Sequence, residues 1–275
     1  MRLATLRTGD GTRAVRIDGD RYVELDAVDV GELLARDGWR TAAGAGTPIH
    51  SLVDADFAPV VPKPGKILCV GLNYRNHILE MGRELPRHPA LFAKFAEALI
   101  GPRDAIQLAP ESEAVDWEAE LAIVIGAKVR RATESQAAAA IAGFSVLNDV
   151  TMRDWQFRSP EWLQGKTFEA TTPLGPVLVT PDELPGGTAP ALELSCTVDG
   201  ELVQKASTGD LVFGPVALVR YISTILTLNP GDVIATGTPG GVGHARKPPR
   251  YLEAGSLLVT EISGIGRLEN TAVTA

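Results

Sequence analysis

Apolar positions along this chain recur at every second residue or in short unbroken runs, broken by glycine, proline, asparagine and aspartate, so strands are expected to outnumber helices. Residues 1 to about 30 alternate short apolar stretches with turns at Gly9-Asp10-Gly11 and Asp18-Gly19-Asp20, the pattern of hairpins. A short helix is expected over residues 30–36, closed by Asp37-Gly38. Three prolines in residues 59–66 exclude a central strand there and suggest the edge of a small N-terminal domain. Strands follow at residues 67–70, 115–126 and 144–149, with a loop or short helix over residues 71–82. Thr133-x-x-Gln136 reads as a capping box that opens a helix, with Gly143 as its stop. Asp199-Gly200 is a hairpin turn between residues 192–198 and 201–204, and Gly214-Pro215 opens a helix to about Leu226. Residues 232–237, 256–263 and 267–273 close the chain as strands. This pattern predicts a β-rich α+β fold rather than a doubly wound sheet.

The bulk numbers restrict what such a fold can do. The 275 residues, 45% hydrophobic and 22% charged, suffice for one large domain with a small appendage and argue against disorder. A formal charge of −8 gives no basic footprint for nucleic acid, so an anionic ligand needs a local cation: a metal, or a specific lysine or arginine. The two cysteines, Cys69 and Cys196, are far apart in apolar surroundings and read as buried free thiols. The first residues hold no apolar leader and no apolar run is long enough to span a bilayer, so the expectation is a cytoplasmic protein with no membrane role.

Four segments carry chemistry. In VDWEAELAIVIG, residues 115–126, strand periodicity puts Glu118 and Glu120 on one face, beside Ala122 and Val124. Two carboxylates in a core strand repel each other and lose hydration, which costs several kcal/mol unless a cation lies between them. A hard divalent ion answers that need, and Asp149 at the end of the next strand can supply a third oxygen; the plainer alternative is a solvated strand edge with salt bridges. In GLNYRNHILEMG, residues 71–82, His77 and Glu80 would face each other on a helical turn, as a general base and its orienting carboxylate do, or would form an ordinary surface pair. Downstream of Asp149, Arg153, Gln156, Arg158 and Lys166 offer donors for a substrate carboxylate, though Arg153-Asp154 also reads as a structural pair. ATGTPGGVG, residues 235–243, is a Gly-rich loop after a strand that fits neither a P-loop nor G-x-G-x-x-G, but its backbone and the Thr238 hydroxyl can approach a small ligand.

Taken in order, KILCVGLNYRNHILEMG, the E-x-E of VDWEAELAIVIG, NDVTMRDWQ, GKTFEATTPLGP and LNPGDVIATGTPGGVG resemble the fumarylacetoacetate hydrolase family over about residues 63 to 270. The resemblance implies a mixed β-sandwich roll for residues 63–275, a small N-terminal α/β domain over residues 1–62, and a homodimer. It implies Mg²⁺ or Mn²⁺ on Glu118, Glu120 and Asp149, and a water-activating pair of His77 and Glu80. It further implies an active-site lysine at Lys166 and substrate contacts from Tyr74, Arg153, Gln156 and Thr238. Two departures stand out: Phe95 where many members have proline, and EATTPLGP after the lysine, a form that looks like members acting on fumarylpyruvate-type acids or oxaloacetate.

The expected activity is hydrolysis of the C–C bond of an acylpyruvate, with the ion holding a small keto acid, His77 activating water and Lys166 neutralising charge. The alternatives are oxaloacetate decarboxylation or isomerisation of a hydroxymuconate-type diacid by the same enolate chemistry, and a non-catalytic metal-binding protein.

Overall fold

In the computed structural model, which describes residues 1–80 and 82–275, two β-sheets pack face to face. Strands β1 (Arg2–Thr8), β2 (Gly11–Asp18) and β3 (Arg21–Glu24) form an antiparallel meander, each turn falling at one of the two expected Gly-Asp sites. Helix α1 (Val30–Leu34) follows, capped by the Asp29 carboxylate, which accepts from the Glu32 N–H. The proline-bearing residues 59–66 form no strand. Beyond them come β4 (Ile67–Gly71), helix α2 (Arg75–Glu80), β5 (Ala90–Lys94), β6 (Ala119–Ile125), β7 (Ile141–Asn148) and β8 (Thr172–Val179). Strands β9 (Glu193–Val198) and β10 (Glu201–Ser207) flank the Asp199-Gly200 turn, and helix α3 (Pro215–Ile225) starts on its proline as expected. Strands β11 (Val233–Ala235), β12 (Leu257–Ile262) and β13 (Gly266–Thr274) complete the chain.

The larger sheet has eleven strands and runs β3-β2-β1-β8-β7-β6-β11-β4-β5 through its middle. It is mixed: β11 pairs antiparallel with β6 and parallel with β4. The N-terminal strands belong to this sheet, because β1 hydrogen-bonds β8 with Leu3 opposite Leu178. The smaller sheet has five strands, with β10, β9, β12 and β13 in that order.

Strand β6 (AELAIVI) is buried on both faces, which is why it reads as an unbroken apolar run. Leu121, Ile123 and Ile125 point between the sheets, toward Phe144, Leu194, Cys196 and Leu268. Ala122 and Val124 point to the opposite face, into a second core with Ile67, Cys69, Leu147, Val233 and the α1 residues Leu33 and Leu34. The expected strand over residues 115–126 is interrupted. Val115–Asp116 pairs elsewhere, with Thr151–Met152, and Trp117 and Glu118 lie between the two pieces. Side chains replace the ladder there: Trp117 N–H donates to Asp116 Oδ1 at 2.8 Å and Glu118 N–H to Asn148 Oδ1 at 2.9 Å.

The capping box of Thr133 and Gln136 is formed, and its helix runs over Glu134–Ala140. Gly143 is not its stop. The chain enters β7 already at Ile141, and the helix's last carbonyl, Ala140 O, accepts from Gly126 N–H at 2.7 Å. Pairing of β7 with β6 and β8 outweighs the local stop signal, and Gly143 lies against the Val179 backbone, where a side chain has no room.

Candidate active site

The register of β6 and β7 creates the carboxylate cluster. Glu120 faces Leu147 across the ladder and Ala119 faces Asn148; one step further, Asp149 N–H donates to Glu118 O at 2.8 Å. Glu118, Glu120 and Asp149 therefore converge, with one oxygen from each within 4.8 Å of the others, and all three are buried.

Three cations surround them. Lys166 Nζ donates to Glu118 Oε2 at 2.9 Å and to Asp149 Oδ2 at 2.8 Å. Lys94 Nζ, on the last residue of β5, donates to Asp149 Oδ1 at 2.7 Å and to Val150 O at 3.1 Å. Arg153 is bound to Asp116 Oδ2 through Nε at 2.8 Å and to Glu118 Oε1 through Nη1 at 2.6 Å. Burial alone would raise the Asp149 carboxyl, but Lys166 and Lys94 outweigh it and hold Asp149 below the usual carboxylate range. Lys166 is held well above its ordinary value: burial works against its charge, and Asp149 and Glu118 more than compensate.

Glu120 is the exception. It forms no ion pair among the described residues; Gly237 N–H donates to its Oε2 at 2.6 Å. Burial first, then the charges of Asp149 and Glu118, push its carboxyl well above the ordinary value. Of the four carboxylates, counting Asp116, three share the three cations and Glu120 has none among the described residues. This donor set fits a divalent ion: three hard oxygens converge and one acid lacks a counter-charge.

Beside the cluster lies a cavity of about 320 Å³, lined by polar Glu118, Lys166, Arg153, Gln156, His77 and Thr238 and by apolar groups including Val70, Phe92 and Trp162. Helix α2 brings His77 to its wall. Asn73 anchors the start of that helix: its Nδ2 donates to Thr236 O at 2.8 Å and to Phe213 O at 3.0 Å, and its Oδ1 accepts from Phe213 N–H at 2.8 Å. His77 is half-buried, and burial lowers its imidazole below the ordinary value despite the opposing pull of Glu80 and Glu118. The Gly-rich loop backs it, because a Cβ on Gly240 would lie 2.9 Å from His77 Nδ1.

The remaining expected site residues are distributed less uniformly. Gln156 is buried at the cavity wall and its Oε1 accepts from Arg153 Nη1 at 2.9 Å. Thr238 lines the cavity and its Oγ1 accepts from Gln204 Nε2 at 2.9 Å. Glu80 is exposed on α2 and makes no hydrogen bond to His77 in this structure. Tyr74 is buried with its hydroxyl unpartnered and lies outside the cavity lining; burial and then Glu120 raise its pKa. Arg158 stacks over Trp155 at 3.5 Å, away from the cavity, and Asp154 takes the Ser112 hydroxyl at 2.7 Å rather than Arg153. Residue 81, in the same motif, lies outside the described residues.

Sequence reasoning missed three contributors. Lys94 binds Asp149 from a strand end with no motif around it. Asp116 accepts from Arg153 and from the N–H groups of Gly243 at 2.7 Å and His244 at 3.0 Å, tying the Gly-rich loop to the cluster. Gln204, from the smaller sheet, accepts from Ala119 N–H at 3.0 Å and donates to Thr238 and Pro239. The only signal that could have found Asp116 is its place two residues before Glu118 in a run that is otherwise apolar.

The family model for the fumarylacetoacetate (FAA) hydrolase C-terminal domain matches residues 66–273. The chain belongs to the fumarylacetoacetate hydrolase family. It is 43% identical over 235 residues to the rat protein named oxaloacetate tautomerase Fahd2a, mitochondrial, covering 85% of this chain and 74% of that one. Among solved structures, the fumarylacetoacetate hydrolase of psychrophilic Exiguobacterium antarcticum superposes with a TM-score of 0.86 at 31% identity over all of both chains. The 5-carboxymethyl-2-hydroxymuconate delta-isomerase of Mycobacterium smegmatis superposes with a TM-score of 0.80 at 33% identity, over 100% of this chain and 99% of that one. The expected β-rich mixed sandwich is therefore the fold of the family, and the chain is an enzyme of that superfamily. Among the described residues no helix is long and apolar enough to cross a membrane.

Proposed function

We propose that this protein interconverts the keto and enol forms of a small 2-oxo acid of the oxaloacetate type, with Mg²⁺ or Mn²⁺ held by Glu118, Glu120 and Asp149. The observation that carries this reading is a half-buried imidazole, His77, whose protonated form burial disfavours, and an ammonium, Lys166, locked by Glu118 and Asp149, on the walls of one small cavity. Proton removal beside a carbonyl needs a base and a positive potential for the oxygen that gains charge. The names of relatives, an oxaloacetate tautomerase and a muconate isomerase, support the same class of proton transfer.

In this mechanism the ion, when bound, supplies Lewis acidity that draws charge onto the 2-oxo oxygen. His77 takes a proton from C3 of the acid, the C2=C3 double bond forms, and the electron pair of the carbonyl moves to oxygen. Lys166, held in place by Glu118 and Asp149, stabilises that charge electrostatically and keeps its own proton. His77 returns the proton to the oxygen, giving the enol; the reverse sequence gives the ketone. Gln156 and Thr238 offer an amide and a hydroxyl to orient the acid.

Hydrolysis of an acylpyruvate such as fumarylpyruvate is the second reading, favoured by the position of Glu80 three residues after His77 on α2. It requires Glu80 to engage His77 and a water to be held between them. The two readings separate in one assay. With Mg²⁺ or Mn²⁺, the tautomerase reading expects fast loss of the oxaloacetate enol absorbance, abolished by chelator and by His77→Ala, with no pyruvate released from fumarylpyruvate. Pyruvate release without enol loss would replace it with the hydrolase reading.

A further inference from the structure

The cations around the carboxylate cluster are already engaged. Lys94, Lys166 and Arg153 are each bound to carboxylates of the cluster, and Arg153 is also held by Gln156. A substrate with a second negative charge needs another partner, and the cavity has one. Arg83 lines it together with His77, is exposed, and has no ion pair and no side-chain hydrogen bond among the described residues. Its proximity to His77 is felt in the imidazole, whose protonated form Arg83 disfavours.

Arg83 is also not on a loose loop. Gly82 N–H donates to Leu79 O at 2.9 Å and Arg83 N–H to Ile78 O at 3.2 Å, with Gly82 at a φ of 68°. This pair of bonds is a Schellman closure of α2, whose left-handed position glycine occupies without the steric cost of a Cβ. The Arg83 backbone is thereby fixed to the helix that carries His77. The cavity lining it shares also includes the apolar, exposed side chains of Leu72 and Phe157.

We infer that Arg83 reads the distal carboxylate of the substrate and makes this site selective for 2-oxo dicarboxylates over 2-oxo monocarboxylates. The cavity, near the lower end of the about 300–1,000 Å³ typical of ligand pockets, suits a short diacid. A planar guanidinium with several fixed donors binds a carboxylate in a bidentate manner, and a lysine at this site would keep the charge and lose the geometry. The inference rests on the 2-oxo acid reading given above for the choice of ligand, but not on turnover.

The test is calorimetric titration of the Mg²⁺-loaded protein with oxaloacetate and with 2-oxobutyrate, which differs by a methyl group in place of the distal carboxylate. The wild type should prefer oxaloacetate by about tenfold or more, as expected for a charge-assisted pair at a partly exposed site. In Arg83→Gln that ratio should fall to near one, and Arg83→Lys should retain only part of it. The readout is a ratio, so a variant that folds or loads its ion poorly weakens both ligands and does not imitate the effect. A wild type without diacid preference, or an Arg83→Gln protein that keeps it, overturns the inference. Diacid selectivity that depends on Arg83 in a protein showing no enol–keto exchange would remove the tautomerase reading and leave this one standing.

Discussion

The ring of His77 lies against Gly240, so closely that a methyl group there would sit 2.9 Å from Nδ1. Two segments separated by more than 150 residues therefore set the position of one side chain: helix α2 carries it and the Gly-rich loop backs it. Gly240→Ala should displace the ring by a few tenths of an ångström or more. Because a misplacement of about 1 Å can cost about 100-fold in rate, kcat for enol–keto exchange should fall by about tenfold or more. The melting temperature should stay near that of the wild type, since the change is at a cavity wall. A fully active Gly240→Ala enzyme would remove the functional link between loop and imidazole.

The acid limb of the pH profile follows from the same residue. Burial pushes the His77 imidazole below its ordinary 6.5, and the neutral form is the one that accepts a proton. Activity is therefore expected to persist as pH falls from neutrality and to be lost only below 6.5. The profile of kcat/KM for the loaded enzyme checks this. A midpoint above the ordinary imidazole value, or an unchanged limb in His77→Asn, would assign the limb to another group.

Glu120 predicts the pH dependence of ion binding. Its folded-state value is raised above 4.5, so without an ion it holds its proton to higher pH than an unfolded glutamate does. The ion-free fold is then stabilised on the acid side of that window and loses the contribution as pH rises through the raised value. Ion binding needs the carboxylate, so it should release protons, and affinity should climb with pH across the same window. Titrating Mg²⁺ in buffers of different ionisation enthalpy measures the release, which should disappear in Glu120→Gln.

Lys94→Met should separate stability from loading. Removing one partner of a buried pair leaves Asp149 with Lys166 alone, at a cost of about 3 kcal/mol in the ion-free protein. Saturating Mg²⁺ should recover part of that loss, because an ion on Asp149 replaces the missing charge. Chemical denaturation with and without Mg²⁺ reads both numbers. Equal destabilisation in the two conditions would mean that Lys94 supports the core and has no part in the ion site.

Much of the architecture is legible in the sequence because local and tertiary preferences agree. The Asp199-Gly200 turn, the proline at the start of α3 and the Thr133 capping box all form where they are expected. Glu118 and Glu120 also converge as the two-residue period of a strand suggests, although Glu118 lies just outside β6 and its N–H is held by Asn148 rather than by the ladder. Gly143 misleads because strand pairing between β6 and β7 outweighs a helix-stop signal. Lys94 is invisible for a different reason: it acts through a partner brought close by the fold, and a single lysine has no spacing to read; the place of Asp116 two residues before Glu118 is a signal, but it does not name the partner, Arg153. The Glu80 position on α2 is legible, but whether it touches His77 depends on side-chain orientation, which a three-residue spacing does not fix.

The charge balance of the buried cluster has a kinetic consequence. With four carboxylates and three cations, the empty cluster is neutral or negative according to whether Glu120 holds its proton, and the whole chain is at −8. Adding two positive charges reverses the local sign. Under the proposed function, an approaching dianion meets a neutral or negative cluster before loading and a positive one after it, so binding is expected to be ordered: ion first, acid second. Substrate arriving at the empty protein would dissociate unproductively, and a shortage of free divalent ion would lower the on-rate for the acid as well as the number of active molecules.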